Sequence, residues 1–99
     1  MRFEWDTSKA RTNARKHRVS FEEAASVFRG LCLHRLDARR DYGELRFIAL
    51  GIDSNGVLLR VVYTLRGGTV RIFSAWKASR HERETYAKAR PDRSLCEPR

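Results

Sequence analysis

The chain has 99 residues, 41% of them hydrophobic and ten of them aromatic, at a mean hydropathy of −0.60, which suits one domain with one modest core. No apolar run approaches the ~18 residues of a membrane span; MRFEWDTSK holds no signal-peptide stretch; and Cys32 and Cys96 are too few and too far apart for a disulfide framework or metal site, so they read as thiols of a cytoplasmic protein. Lys and Arg number 21 against 12 Asp and Glu, a formal charge of +9 with pI near 10.6, which favours a polyanionic partner through long-range attraction and counterion release.

Residues 2–5 alternate and predict a short strand. Asp6 suits an N-cap, and residues 7–17 place Ala10, Ala14 and His17 on one helical face. Residues 7–21 have no acid but carry Lys9, Arg11, Arg15, Lys16 and Arg18. Ser20-Phe21-Glu22-Glu23 is a capping box opening a helix with Phe21, Ala24, Ala25 and Phe28 on its apolar stripe, and Gly30 is its stop. Residues 31–36 read as a strand and 37–43 as a polar loop. Asn55-Gly56 then joins strands 45–53 and 57–65, and Gly67-Gly68 joins the latter to 69–75, both as two-residue turns. Ser79-Arg80-His81-Glu82 is a second capping box, starting a helix to about Arg90. Residues 1–90 form one expected domain and 91–99 a tail. The order is β-α-α-β-β-β-β-α, an α+β fold in which helices pack an antiparallel meander.

Two-residue turns pair Ser54 with Val57 and Arg66 with Thr69, and this register sorts the side chains. One face receives Ile48, Leu50, Ile52, Leu59, Val61, Tyr63, Leu65, Val70, Ile72 and Trp76, and is expected to take the two N-terminal helices. The other receives Arg60, Thr64, Arg66, Thr69, Arg71 and Lys77, with Phe47, Val62 and Phe73 between them. Such a face suits RNA, with guanidinium groups on phosphates and Phe47 or Phe73 as stacking surfaces. The same pattern fits a solvated sheet face with Arg/Thr cross-strand pairs. A third arrangement has the C-terminal helix covering part of it.

His17, beside Lys16, has the chemistry of a general acid or base, and equally that of a helix-end residue interacting with the dipole. Glu44 and Arg46 fit either an acid with a phosphate clamp or an edge pairing. No histidine pair has metal-ligand spacing, and no nucleophile elbow or phosphate-cradling glycine loop is present, so neither metal nor cofactor is expected.

The stretch FEWDTSKARTNARKHRVSFEEAASVF resembles the opening of the BrnT family, through Phe3, Trp5, Asp6, Lys9, Asn13, Lys16, His17, Val19, Ser20, Phe21, Glu22, Glu23 and Ala24. GELRFIALG, VVYTLRGGTVRIFSA and ASRHERETY extend the likeness to about residue 87. The resemblance implies a RelE-like fold and a ribonuclease toxin of a type II toxin–antitoxin pair that arrests translation. It also implies a BrnA antitoxin with a ribbon-helix-helix module as partner, reaching operator DNA only through that complex. On this basis Arg71 and Lys77 are the expected transition-state stabilisers and His17 the candidate for proton transfer. Lys9, Lys16, Arg46, Arg60, Arg66 and Arg80 are expected to bind RNA. Where the family pattern reads Ser-Ala-Arg, this chain has Ser74-Ala75-Trp76, so Trp76 stands at a catalytic position. That departure keeps open a nucleic-acid-binding or antitoxin-binding module with weakened or no catalysis.

Overall fold

Local signals start and stop the helices. In the computed structural model, which describes residues 1–39 and 41–89, the Lys9 amide donates to Asp6 Oδ1 at 3.0 Å and α1 runs Thr7–His17. Arg18 ends it in the left-handed region at φ 58°, its amide returning to the Ala14 carbonyl. The Ser20–Glu23 box is reciprocal, at 2.9 and 3.0 Å, and opens α2 (Phe21–Ser26). Beyond it a 3-10 turn, Val27–Arg29, tightens the chain, and Gly30 follows in an extended conformation (φ −118°). The stop is therefore that turn and not a left-handed glycine.

Five strands, β1 (Arg2–Trp5), β2 (Cys32–Leu36), β3 (Phe47–Ile52), β4 (Leu58–Arg66) and β5 (Thr69–Lys77), form one sheet in the order β1-β5-β4-β3-β2. The expected antiparallel meander holds for β2 to β5. β1 departs from it, lying parallel to β5 with Arg2–Trp5 beside residues 69–72. α1, α2 and the 3-10 turn cover one sheet face, where Phe21, Ala24, Val27 and Phe28 meet Leu59, Val61, Tyr63, Val70 and Ile72. Phe3 lies 5.6 Å from Phe28, and Trp5 lies 5.8 Å from Phe21, ring to ring.

Two features correct the expected register. Asp53 Oδ1 accepts the Asn55 and Val57 amides at 2.8 and 2.9 Å, and Gly56 sits at φ 80°. The carboxylate thereby supports a three-residue loop, pairing Asp53 with Val57 in place of Ser54. Every β3 side chain changes sides as a result. Phe47 joins the core opposite Tyr63, while Ile48, Leu50 and Ile52 face the other way, opposite Val62, Arg60 and Leu58. The Gly67-Gly68 turn does pair Arg66 with Thr69 as expected. Farther along, however, Ile72 lies opposite Tyr63 and Ser74 opposite Val62, leaving Phe73 as the extra residue of a bulge. Trp76 therefore leaves the expected apolar face and stands opposite Arg60, while Lys77 moves to the helix side, opposite Leu59.

The second face is partly covered by α3 (Arg80–Ala89), which opens with a reciprocal Ser79–Glu82 box at 2.9 and 3.2 Å. Tyr86 Oη donates to the Leu31 carbonyl at 2.9 Å, and His81, Glu82 and Thr85 roof a hollow of about 270 Å³ over Leu33, Ile48 and Leu50. The third arrangement foreseen for this face is thus the one adopted. Cys32 lies on the edge strand, its Sγ 3.2 Å from His34 Nε2. Cys96, Arg90 and the expected tail 91–99 lie outside the described residues.

Close packing singles out Gly51. A Cβ there would lie 2.6 Å from Val27 Cγ1 and 2.7 Å from Cys32 Cβ, the latter tied to backbone. Gly51→Ala is expected to cost about 2 kcal/mol as an overpacked site, read as a lower urea midpoint. Adding Val27→Ala is expected to recover only the Val27 share. An unchanged midpoint in Gly51→Ala would show that β2 yields freely.

Candidate functional site

Position 13 builds the site. Asn13 falls three residues after Ala10 on the inward stripe of α1 and is buried, at 6% exposure. β1 ends beside Ile72, so among the described residues the outer edge of β5 beyond it lacks a strand partner. Asn13 supplies one in miniature: Oδ1 accepts the Ala75 amide at 3.1 Å, and Nδ2 donates to the carbonyls of Ala75 at 2.6 Å and Val19 at 3.0 Å. A buried carboxamide thus satisfies backbone groups that would otherwise be orphaned. It also clamps α1 along the bulged part of β5, with Lys9, Thr12, Lys16 and His17 beside Phe73 and Trp76.

Two hollows result. The first, about 300 Å³, is lined by Lys9, Thr12, Lys16 and His17 against Phe73 and Ser74. The second, about 420 Å³, is lined by Lys16, His17, Trp76 and Lys77. Lys16 and His17 belong to both, as the wall between them. The His17 ring lies 5.3 Å from the Trp76 ring at 43°, a tilted contact.

The cations divide by partner. Lys9 Nζ lies 5.4 Å from the centre of the Phe73 ring. The Arg46 guanidinium lies 3.8 Å from that ring and 4.2 Å from Tyr42, and its Nε is buried without a hydrogen-bond partner. Arg60 lies 5.3 Å from the Trp76 ring and donates to Glu82 Oε2 at 2.9 Å. Burial raises the Glu82 carboxyl's affinity for a proton, but hydrogen bonds from Ser79 and Arg60 outweigh it and hold the group below the usual glutamate range. Arg71 pairs with Glu4 at 3.3 Å and Arg66 with Glu44 at 3.0 Å. The Arg66 hydrogen bonds hold Glu44 low, and the charges of Arg46 and Arg71 add to the effect, so these three arginines share one field.

The expected site residues are thereby sorted. Lys9, Lys16, His17, Trp76 and Lys77 meet at the two hollows, with Arg46 joined through Phe73 and Arg60 through Trp76. Arg71 and Arg66 form an acid-paired row farther along the same face. Arg80 stands apart on α3, 87% exposed and 3.4 Å from Glu84. His34 is a core-edge residue, its Nδ1 2.7 Å from Tyr63 Oη, and burial lowers its proton affinity. Among the described residues no cluster of three His, Cys, Asp or Glu side chains could hold a metal ion. Asn13 and Ser74 were not foreseen as site residues, although an asparagine on an apolar stripe is itself a signal of a buried polar contact.

A family model described as "Ribonuclease toxin, BrnT, of type II toxin-antitoxin system" matches residues 5–82. No curated protein matches the chain. Among solved structures the chain is similar to the crystal structure of the Brucella abortus ribonuclease toxin BrnT, with a TM-score of 0.60 over 81% of this chain and 99% of that one. The sequences are 20% identical, so this likeness is one of fold.

Proposed function

Since the chain belongs to the BrnT family of ribonuclease toxins of type II toxin–antitoxin systems, we propose that it is a metal-independent endoribonuclease that arrests translation by cutting RNA. We assign its restraint to a BrnA-type antitoxin, whose ribbon-helix-helix module would carry the complex to operator DNA. The observation that supports the RNA-cutting reading is the pair Lys16–His17 at the shared wall of two hollows with aromatic sides. The chemistry needs the 2′-hydroxyl deprotonated, the five-coordinate phosphate stabilised and the departing 5′-oxygen protonated. When the 2′-oxygen bonds to phosphorus, the bond to the 5′-oxygen breaks and a 2′,3′-cyclic phosphate remains. We assign the proton transfer to His17 and the holding of the phosphate to Lys16, Lys9 and Arg46, with Lys77 at the rim. To Arg71, tied to Glu4, we assign a supporting share of the field.

The decisive experiment incubates the protein with single-stranded mRNA in excess EDTA and maps the ends by primer extension. Wild type is expected to cut, and His17→Ala to be slower by about 10²-fold. A wild type that neither cuts RNA nor slows a cell-free translation extract would remove the enzyme. The packing of Trp76 on His17 favours one second reading, a binding module without catalysis. RNA bound in a salt-dependent manner but left intact would select it.

A further inference from the structure

We propose that the two hollows are consecutive base subsites for single-stranded RNA, one base against Phe73 and the next against Trp76, with the phosphate between them at Lys16 and His17. The substrate class rests on the ribonuclease reading above; the division into two subsites rests on the geometry of this chain. Each hollow has its own aromatic wall and its own ammonium, Lys9 beside Phe73 and Lys77 beside Trp76. Both share the Lys16–His17 wall. Three cationic posts thus alternate with two rings, which is the repeat of phosphate, base, phosphate, base, phosphate along a single strand.

The bulge makes this alternation possible. Without it, Trp76 would point to the helix-packed core and Lys77 to the open face, and the second hollow would lose its ring. Phe73 and Trp76 are three residues apart, roughly 10 Å of strand. Bases in a helical stack are separated by only about 3.4 Å. Two bases on these rings are therefore splayed apart and unpaired, so a duplex is excluded and a stacked single strand must open to enter. The tilt between His17 and Trp76 leaves the contact partial, with indole surface lining the hollow. Lys9 is exposed and can leave Phe73 for a phosphate, while Arg46 continues to support the ring.

The test titrates the full chain with pApAp whose riboses are 2′-O-methylated, and with the equally blocked one-base control pAp, following indole emission. The only other tryptophan, Trp5, is packed against Phe21. The second base and the phosphate that comes with it are together expected to tighten binding about tenfold or more. Quenching should accompany it and vanish in Trp76→Phe. Should that variant not keep the wild-type circular-dichroism melt, Lys77→Ala, at an exposed residue, takes its place. Removing one phosphate post is expected to reduce the slope of log K against log salt by about 0.7. Equal affinity for pAp and pApAp, quenching that persists in Trp76→Phe, or an unchanged salt slope in Lys77→Ala overturns the proposal. Because the probe cannot be cut, a protein that cleaves no RNA is still tested. Cleavage of mRNA with no gain from pAp to pApAp would spare the ribonuclease and remove the two subsites.

Discussion

Asn13→Ala is expected to lower stability by about 3 kcal/mol or more, seen as a fall in the urea midpoint at unchanged slope. The substitution deletes three hydrogen bonds at once and orphans the Ala75 amide, the Ala75 carbonyl and the Val19 carbonyl. All three lie under α1, and each unsatisfied buried group costs about 1–3 kcal/mol. Asn13→Asp is expected to do no better near neutral pH. The carboxylate keeps the acceptor for the Ala75 amide but turns a negative oxygen toward two carbonyls where an amide donated. Arg11→Ala, on the exposed side of the same helix, is the control, with a change within about 0.5 kcal/mol. The loss should extend to function. Under conditions where Asn13→Ala remains folded, Lys9, Lys16 and His17 are no longer clamped to the bulge, and binding of single-stranded RNA should weaken. An unchanged midpoint would mean that water replaces the carboxamide at no cost, and that apolar packing such as that of Ala10 on the core holds α1.

The features legible in the sequence were those with short-range causes. Both capping boxes and the Asp6 cap involve residues three apart, and all three are present. The Gly67-Gly68 turn lies where both residues can take positive φ, at 55° and 82°, and its register follows. Asn55-Gly56 is equally turn-like, yet the outcome there was set by a neighbour, Asp53, whose carboxylate gathers two amides and lengthens the loop by one. A one-residue slip moves a whole strand's side chains to the opposite face, which is why Ile48 and Leu50 were misplaced together. The bulge at Phe73 has no local signature. It falls where β5 exchanges β1 for Asn13 as its outer partner, an event that depends on a residue 62 positions away in the chain. Lys9 and Lys16 stand in a charge run with Arg11, Arg15 and Arg18, and it is the family resemblance that singles them out together with His17. What could not be read was that Trp76, and not Lys77, shares the open face with Arg60.

The same sorting of partners predicts unequal roles for arginines that look alike in sequence. Arg46→Ala is expected to slow RNA cleavage by about 10²-fold, the scale of losing one preorganised donor at a developing charge, while leaving the melting transition close to wild type. Arg66→Ala should cost only a few-fold. Arg66 lies at the exposed hairpin end, 48% accessible, and is already bound to both oxygens of Glu44. Arg46 meets no carboxylate among the described residues. It is oriented by Tyr42 and Phe73, and with Nε buried its outer guanidinium nitrogens are the donors left for a phosphate oxygen. Arg46→Lys should not restore the rate, because an ammonium neither stacks as a plane between two rings nor offers a fork of donors. The ratio of the two alanine variants, measured on one mRNA at one salt concentration, is therefore more informative than either alone. Equal losses would mean that the face acts only through its summed charge, and raising the salt would then depress both variants and wild type in parallel.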